Sequence, residues 1–149
     1  MIDRDISRRF WDERAREADD PRAVTLEKES AASVAREVAL YQQWLFRRLP
    51  EFGGRTDSIA DIGCGNGDWT VPLARGAQRI FASDFSSGFA EHTRKRLEHE
   101  VPACRSTVAC ADAAELDFPF PLDLVVCGAV TQYMDDERSR DCSARSPRT

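Results

Sequence analysis

Long hydrophobic runs are missing from this sequence of 149 residues. A membrane-spanning helix needs about 20 consecutive apolar residues, and no such stretch occurs. The first ten residues, MIDRDISRRF, mix acids with arginines and contain no apolar segment of the kind that a signal peptide requires. We therefore expect neither a membrane partner nor an export signal.

Paired metal ligands are also missing. The five cysteines include no C-x-x-C pair, and neither of the two histidines lies near a cysteine in the sequence. Structural zinc sites usually take closely spaced ligand pairs. An odd number of scattered cysteines is typical of reduced thiols. The sequence therefore predicts no metal site and a cytoplasmic location.

The chain has no excess of basic residues. It carries 26 acidic and 21 basic side chains, so its formal net charge is −5. Affinity for a phosphate backbone comes largely from clustered Lys and Arg. The composition therefore predicts no nucleic-acid partner. The hydrophobic content of 42% is sufficient for the core of one domain.

What the sequence does contain, from residue 58 onward, is short apolar segments that alternate with helical patterns. Four segments predict strands: SIADI, RIFAS, STVAC and LDLVVCGAV. One predicted helix begins near Asp68, and another runs from Ser86 to about Glu100. Such alternation is typical of an α/β fold, a doubly wound parallel sheet with helices on both faces.

A further helix is predicted before the first strand. Asp20 and Pro21 form a typical helix start, and Pro50 ends the pattern. Apolar residues recur between them at helical spacing: Val34, Val38, Tyr41 and Leu45. The end of the chain, residues 137–149, is rich in Arg and Ser and almost free of apolar residues, so it predicts a disordered tail.

Three glycines stand within five positions directly after the first predicted strand, in IADIGCGNGDW. Glycine allows a positive φ and a close approach of a ligand to the backbone. A strand, a glycine-rich turn and a helix together form a ligand site in doubly wound folds. A dinucleotide fingerprint would need Gly or Ala where Asp68 stands, and no Gly-Lys-Ser/Thr follows as in a P-loop. The spacing therefore disfavours both of those ligands.

The segment DIGCGNG resembles the first motif of the class I S-adenosylmethionine-dependent methyltransferases. Three later segments are similar to those at the ends of the family's second, third and fourth strands: FASDFSS, ACADAAEL and LDLVVCGAVTQYMDDE. The resemblance covers roughly residues 25–136. It implies a Rossmann-like sheet of order 3-2-1-4, S-adenosylmethionine as the cofactor, and methyl transfer to an O, N or C atom of a small-molecule acceptor.

The resemblance also implies which residues bind the cofactor: Asp61, Gly63, Cys64, Gly65, Gly67, Asp84, Phe85, Asp112, Ala113 and Cys127. Asp84 would hold the ribose hydroxyls, a role that its spacing of 21 residues after Gly63 also favours. Asp112 would accept from the adenine amino group, and Asp61 would attract the methionyl amine. The loop N–H groups would meet the methionyl carboxylate.

Structural roles stay open beside these functional ones. Asp61 could bond the turn backbone, Phe85 could belong to the core, and Asp112 could be a polar loop residue. Trp11, Gln132 and Tyr133 are predicted to line the substrate pocket. The N-terminal RRFWDERA resembles a lid segment of small-molecule members, or is a helix docked on the core. No residue is assigned as a catalytic base, because both histidines fall on the helix after the second strand.

The predicted organisation is a lid or cap at residues 1–20, an incomplete methyltransferase-like domain at 21–136, and the tail at 137–149. Members of the family usually continue with a further helix and three more strands, so we expect a truncated or out-of-frame ending that compromises the activity of the chain alone. An apolar fourth strand at the sheet edge would then pair with a second copy or a partner chain. The alternatives are a non-catalytic cofactor-binding fragment and, less favoured, a nucleotide-dependent oxidoreductase.

Overall fold

The structure, a computed structural model, describes residues 3–25, 30–52, 56–128 and 130. Its four helices are α1 (Arg4–Arg14), α2 (Ala31–Arg48), α3 (Thr70–Arg75) and α4 (Ser87–Glu100). Its four strands are β1 (Ser58–Ile62), β2 (Arg79–Asp84), β3 (Arg105–Cys110) and β4 (Leu124–Cys127). Short 3-10 turns occur at Ala15–Glu17, Pro21–Val24, Leu49–Phe52 and Ala113–Glu115. In the described part of the chain, no helix is long and apolar enough to cross a membrane.

The four strands form one parallel sheet in the order β3-β2-β1-β4. Ile59 of β1 lies opposite Ile80 of β2 on one side and Leu124 of β4 on the other. The predicted doubly wound α/β fold and the predicted order 3-2-1-4 are confirmed. Because all four strands run in the same direction, their carboxyl ends meet at one edge of the sheet, where ligands bind in such folds.

Alternation along the strands places apolar side chains on both faces of the sheet. On one face, Ile59 and Ile80 pack with residues of α3 and α4, including Leu73 and Leu97. On the other face, Ile62 belongs to a cluster with Ala60, Phe81, Ala113, Leu116 and Leu122. Among the described residues, the helices therefore cover one face, and the 3-10 turn and loop after β3 cover the other, where the sequence also predicted helices.

The helix predicted from Asp20 onward is in fact two separate elements. The Asp20 side chain accepts from the Arg22 N–H, as expected of a cap, but it begins only the short 3-10 turn Pro21–Val24. The long helix α2 has its own cap at Ser30, whose hydroxyl accepts from the Ser33 N–H at 3.2 Å. Tyr41 was predicted to lie on the buried face, but it is 57% exposed.

The other predicted helices and strands agree closely with the structure. Ser86 caps α4 by accepting from the Phe89 N–H, and α4 ends at Glu100 as expected. The first three strands match their predicted segments, whereas β4 includes only LVVC of the longer segment LDLVVCGAV. The tail predicted at residues 137–149 lies outside the described residues.

Leu97→Ala is expected to lower the free energy of unfolding by about 2–5 kcal/mol, the usual cost of a cavity left by a fully buried leucine. Leu97 is 1% exposed and packs in the cluster between α4 and the sheet. Chemical denaturation measures the change, and Glu98→Ala, at an exposed position of the same helix, serves as the control. A loss below about 1 kcal/mol for Leu97→Ala would contradict this assignment of the core.

Candidate functional site

An open cavity lies at the carboxyl ends of the strands, beside the glycine turn. The empty space in it, including its open mouth, is about 890 Å³. Seven predicted site residues line it: Trp11, Gly63, Gly65, Asp84, Phe85, Asp112 and Ala113. The tertiary structure therefore brings together residues that are up to 102 positions apart in the sequence, from 11 to 113.

The glycine turn adopts the backbone conformation that its composition predicts. Gly63, Gly65 and Gly67 all have positive φ, at 75°, 51° and 84°. L-residues with a side chain rarely adopt these values. A Cβ atom on Gly65 would also lie 2.8 Å from Cγ1 of Val24, so the turn has no room for a side chain there.

The turn is held to the end of β2 by backbone hydrogen bonds. The N–H groups of Gly63 and Cys64 both donate to the Ser83 carbonyl, at 2.7 and 2.9 Å. The Gly65 N–H donates to Asp84 Oδ2 at 2.8 Å, and the Gly67 N–H donates to the Cys64 carbonyl. These four N–H groups shape the turn and have acceptors within the protein. Binding of a methionyl carboxylate by the loop backbone stays a prediction.

Helix α4 supports the turn from the opposite side. The buried Thr93 hydroxyl donates to the Gly65 carbonyl at 2.8 Å. The Arg96 guanidinium donates to the Asn66 carbonyl at 3.0 Å and to Asp68 Oδ1 at 2.8 Å. Because both side chains project from one helix, the position of α4 determines the position of the turn.

Asp84 occupies the end of β2, where its carboxylate faces the cavity. Besides the bond from Gly65, its Oδ1 accepts from the Ser86 N–H at 2.9 Å. Burial raises the pKa of Asp84 above its ordinary value, while the backbone hydrogen bonds oppose that shift. Each carboxylate oxygen accepts from one of these two backbone N–H groups, and an ionised carboxylate has about four acceptor positions. Lone pairs therefore remain for a pair of ligand hydroxyls.

Asp61 lies beneath the turn rather than in the cavity wall. It is only 2% exposed, and its Oδ2 accepts a 2.6 Å hydrogen bond from the Thr70 hydroxyl at the start of α3. Burial raises the pKa of Asp61 to about 6, and the bond from Thr70 partly opposes this shift. In this structure the carboxylate links β1 to α3, and its role toward a methionyl amine stays a prediction.

Asp112 lines the cavity just beyond the end of β3. Its Oδ1 accepts from the Ala114 N–H at 3.0 Å, and its Oδ2 accepts from Arg4 Nη2 at 2.6 Å. The Asp112 side chain is 3% exposed and that of Arg4 is 48% exposed. The ion pair therefore spans from the buried cavity wall to the surface, and it attaches the start of α1 to the far side of the cavity.

Helix α1 crosses the cavity and is attached at several points. The Arg8 guanidinium lies 4.4 Å from the centroid of the Phe85 ring. Asp12 accepts from the Ser86 hydroxyl at 2.6 Å and from the Ser87 N–H at 3.1 Å. Trp11 lines the cavity and packs against Phe89, with ring centroids 6.4 Å apart. The N-terminal segment is thus a helix docked over the site.

Three other predicted site residues lie outside the cavity wall: Cys64, Gly67 and Cys127. Cys64 is buried in the turn, and Cys127 ends β4 at the edge of the described sheet. Gln132 and Tyr133 lie outside the described residues. Sequence reasoning missed several residues of the cavity wall: Arg4, Ser7, Val24, Ile62, Ser83 and Phe89. Ile62 and Ser83 had a usable signal, because they directly precede Gly63 and Asp84 in the sequence.

Asp61→Asn is expected to remove a pH dependence of stability. The folded-state pKa of Asp61 is about 6, above the value of about 3.9 in an unfolded chain. The folded state therefore binds the proton more tightly, and the free energy of unfolding falls as pH rises from about 4 to 6, by about 3 kcal/mol from this group. Denaturation of wild type and variant between pH 4 and 8 measures the difference.

The control for that experiment is Asp117→Asn, at an exposed position beyond the 3-10 turn Ala113–Glu115. It should keep the wild-type pH profile. If Asp61→Asn also kept that profile, the buried carboxylate would not be the group that takes up the proton.

Two curated relatives match part of the chain. A probable ribosomal RNA small subunit methyltransferase A of Haloarcula marismortui is 36% identical over 76 residues, covering 48% of this chain and 27% of that protein. A mitochondrial ribosomal RNA small subunit methyltransferase of Arabidopsis thaliana is 35% identical over 71 residues, covering 48% of this chain and 18% of that protein. The chain therefore spans well under two thirds of the length of the curated relatives that it matches.

These relatives contradict one prediction. The acidic composition predicted no nucleic-acid partner, yet both curated relatives are named for action on ribosomal RNA. The exclusion of nucleic acid was wrong, because net charge describes the whole chain and not the character of one binding surface.

Solved structures share the fold at lower identity. A magnesium protoporphyrin IX methyltransferase from Synechocystis with bound S-adenosylmethionine has a TM-score of 0.66 and 19% identity, covering 97% of this chain and 70% of that one. A phosphoethanolamine N-methyltransferase from Haemonchus contortus in complex with phosphoethanolamine and S-adenosylhomocysteine has a TM-score of 0.71 and 22% identity, covering 98% of this chain and 30% of that one. At such identities the likeness establishes the fold alone.

A sequence family described as a methyltransferase domain matches residues 59–148, which is more than half of the chain. The match begins in β1, directly before the glycine turn, and includes the strand ends that carry Asp84 and Asp112. The chain belongs to this family of methyltransferase domains.

Proposed function

We propose that this chain binds S-adenosylmethionine in the cavity at the carboxyl ends of the sheet and transfers its methyl group to an acceptor. One observation carries the proposal. The carboxylates of Asp84 and Asp112, at the ends of neighbouring strands, line one cavity together with the left-handed glycine turn. The relatives named as methyltransferases support the same activity.

The residues of the cavity match the chemistry of the cofactor's nucleoside. A ribose diol and an adenine amino group are hydrogen-bond donors, and ionised carboxylates are acceptors. Asp84 would take the two hydroxyls, and Asp112 with the adjoining Ala113 would meet the edge of the base. Phe85 supplies an aromatic surface between them, and the Arg8 guanidinium lies against its ring.

The cofactor supplies a methyl group that its sulfonium already activates. The protein therefore needs mainly to hold the acceptor in line and to exclude water. In this chain α1 covers the cavity. Trp11 of α1 and Phe89 of α4 pack against each other and form an apolar part of the cavity wall. No described residue is proposed as a catalytic base.

For the acceptor, we propose a small molecule as the first candidate. The cavity is enclosed on one side by α1, with Arg4, Ser7 and Trp11 directed at it, which suits a small ligand better than a duplex surface. The fold neighbours named for phosphoethanolamine and a magnesium porphyrin favour the same class.

Ribosomal RNA is the second candidate acceptor. The specific observation in its favour is the identity of 35–36% with two proteins named as ribosomal RNA methyltransferases.

We propose a reducing, cytoplasmic location for either acceptor. Three described cysteines support it, because Cys64, Cys104 and Cys110 are thiols outside any disulfide.

Asp84→Asn is expected to weaken binding of S-adenosylhomocysteine at least tenfold, because a carboxylate that accepts from two hydroxyls is replaced by an amide with one acceptor oxygen. Isothermal titration calorimetry measures the dissociation constant, with Asp117→Asn as an exposed Asp-to-Asn control that should bind as the wild type does. Equal affinity for Asp84→Asn and wild type would remove Asp84 from the site.

Methyl transfer is tested with S-adenosylmethionine that carries an isotopic label on its methyl group. The protein is incubated separately with small ribosomal subunits and with a low-molecular-weight cell extract. We expect label in the small-molecule fraction. Label in the RNA instead would make RNA the acceptor, and cofactor binding without label in either fraction would favour a non-catalytic cofactor-binding module.

A further inference from the structure

Ser83 carries an unexplained polar group in the wall of the cavity. Among the residues that the structure describes, its Oγ is the one buried side-chain nitrogen or oxygen without a hydrogen-bond partner. The residue is 1% exposed and lines the cavity at the end of β2. Its carbonyl, in contrast, accepts two hydrogen bonds from the glycine turn.

The sheet register shows which way the Ser83 side chain points. Ser83 lies opposite Ile62 on β1 and opposite Ala109 on β3, and paired residues on adjacent strands point to the same face. Ile62 and Ala111, two residues beyond Ala109, also line the cavity. The Ser83 side chain therefore points to the same face as Ile62 and Ala111, and these three residues form the floor of the cavity.

A buried hydroxyl without a partner costs free energy, because it has lost its hydrogen bonds to water and gained none in the protein. Alanine would fill nearly the same space at this position without that cost. Ser83 is next to Asp84 in the sequence and in the cavity wall, so the missing partner is most simply a ligand of the cavity.

We propose that the Ser83 hydroxyl donates a hydrogen bond to an acceptor atom on the nucleoside part of the cofactor. This inference rests on the proposed function. The donor role follows from what surrounds the site. Asp84 and Asp112 are acceptors, and the N–H groups of Gly63, Cys64, Gly65 and Gly67 are already used within the turn. The ring nitrogens and ring oxygen of a nucleoside need donors, and Ser83 provides one from the floor of the cavity.

Ser83→Ala tests the proposal, with Ser106→Ala at an exposed position of β3 as the matched control. Two quantities are measured for each protein: the unfolding midpoint without ligand, and the dissociation constants for S-adenosylhomocysteine and for adenosine. We expect Ser83→Ala to keep or raise the midpoint, because it removes an unsatisfied group. We expect both ligands to bind it about tenfold more weakly.

Each alternative result has a distinct meaning. If Ser83→Ala bound both ligands as wild type does, the hydroxyl would not contact the nucleoside, whatever the change in midpoint. If it weakened S-adenosylhomocysteine but not adenosine, the hydroxyl would contact the methionyl part, and the inference as stated would be wrong. Absence of binding by wild type itself would overturn the proposed cofactor, and this inference with it.

Discussion

The site depends on the two hydrogen bonds that the glycine turn donates to the Ser83 carbonyl at the end of β2. They join the carboxyl ends of β1 and β2 at the point where the chain leaves the sheet. Gly63 and Gly65 have positive φ in this turn, so neither position can carry a side chain without strain. The Asp84 carboxylate accepts a hydrogen bond from the Gly65 N–H. The residue proposed to bind the ribose therefore also holds the adjacent turn in place.

Charged groups extend this arrangement outward from the sheet. Arg96 of α4 holds the turn by Asn66 and Asp68, and Arg4 of α1 reaches Asp112 across the cavity. The Arg4–Asp112 pair joins a half-exposed cation to a buried carboxylate, so solvent screens it only in part. The ion pair therefore joins the surface helix α1 to the cavity wall. A ligand that donates a hydrogen bond to Asp112 meets a carboxylate whose Oδ2 already accepts from Arg4.

The sequence predicted the strands well because each is a short apolar segment between turn residues, and their order follows from the resemblance of four segments. It predicted helix α2 less well. Its spacing indicated a buried Tyr41, yet only Val34 is fully buried on that helix, because a periodic pattern gives the face and not the depth of packing. It was wrong about nucleic acid, since the net charge of −5 does not describe any single surface.

The sequence by itself determined the fold class, the glycine turn and the acidic residues at the ends of β2 and β3, because these depend on local spacing and on backbone conformations that few residues adopt. Only the tertiary structure decided what those residues contact. Asp61 lies beneath the loop and accepts a hydrogen bond from the Thr70 hydroxyl. Asp112 forms an ion pair with Arg4, which is 108 positions away in the sequence. Ser83 is left with a buried hydroxyl and no partner. Contacts between distant segments depend on how helices pack on the sheet, and no local pattern specifies that.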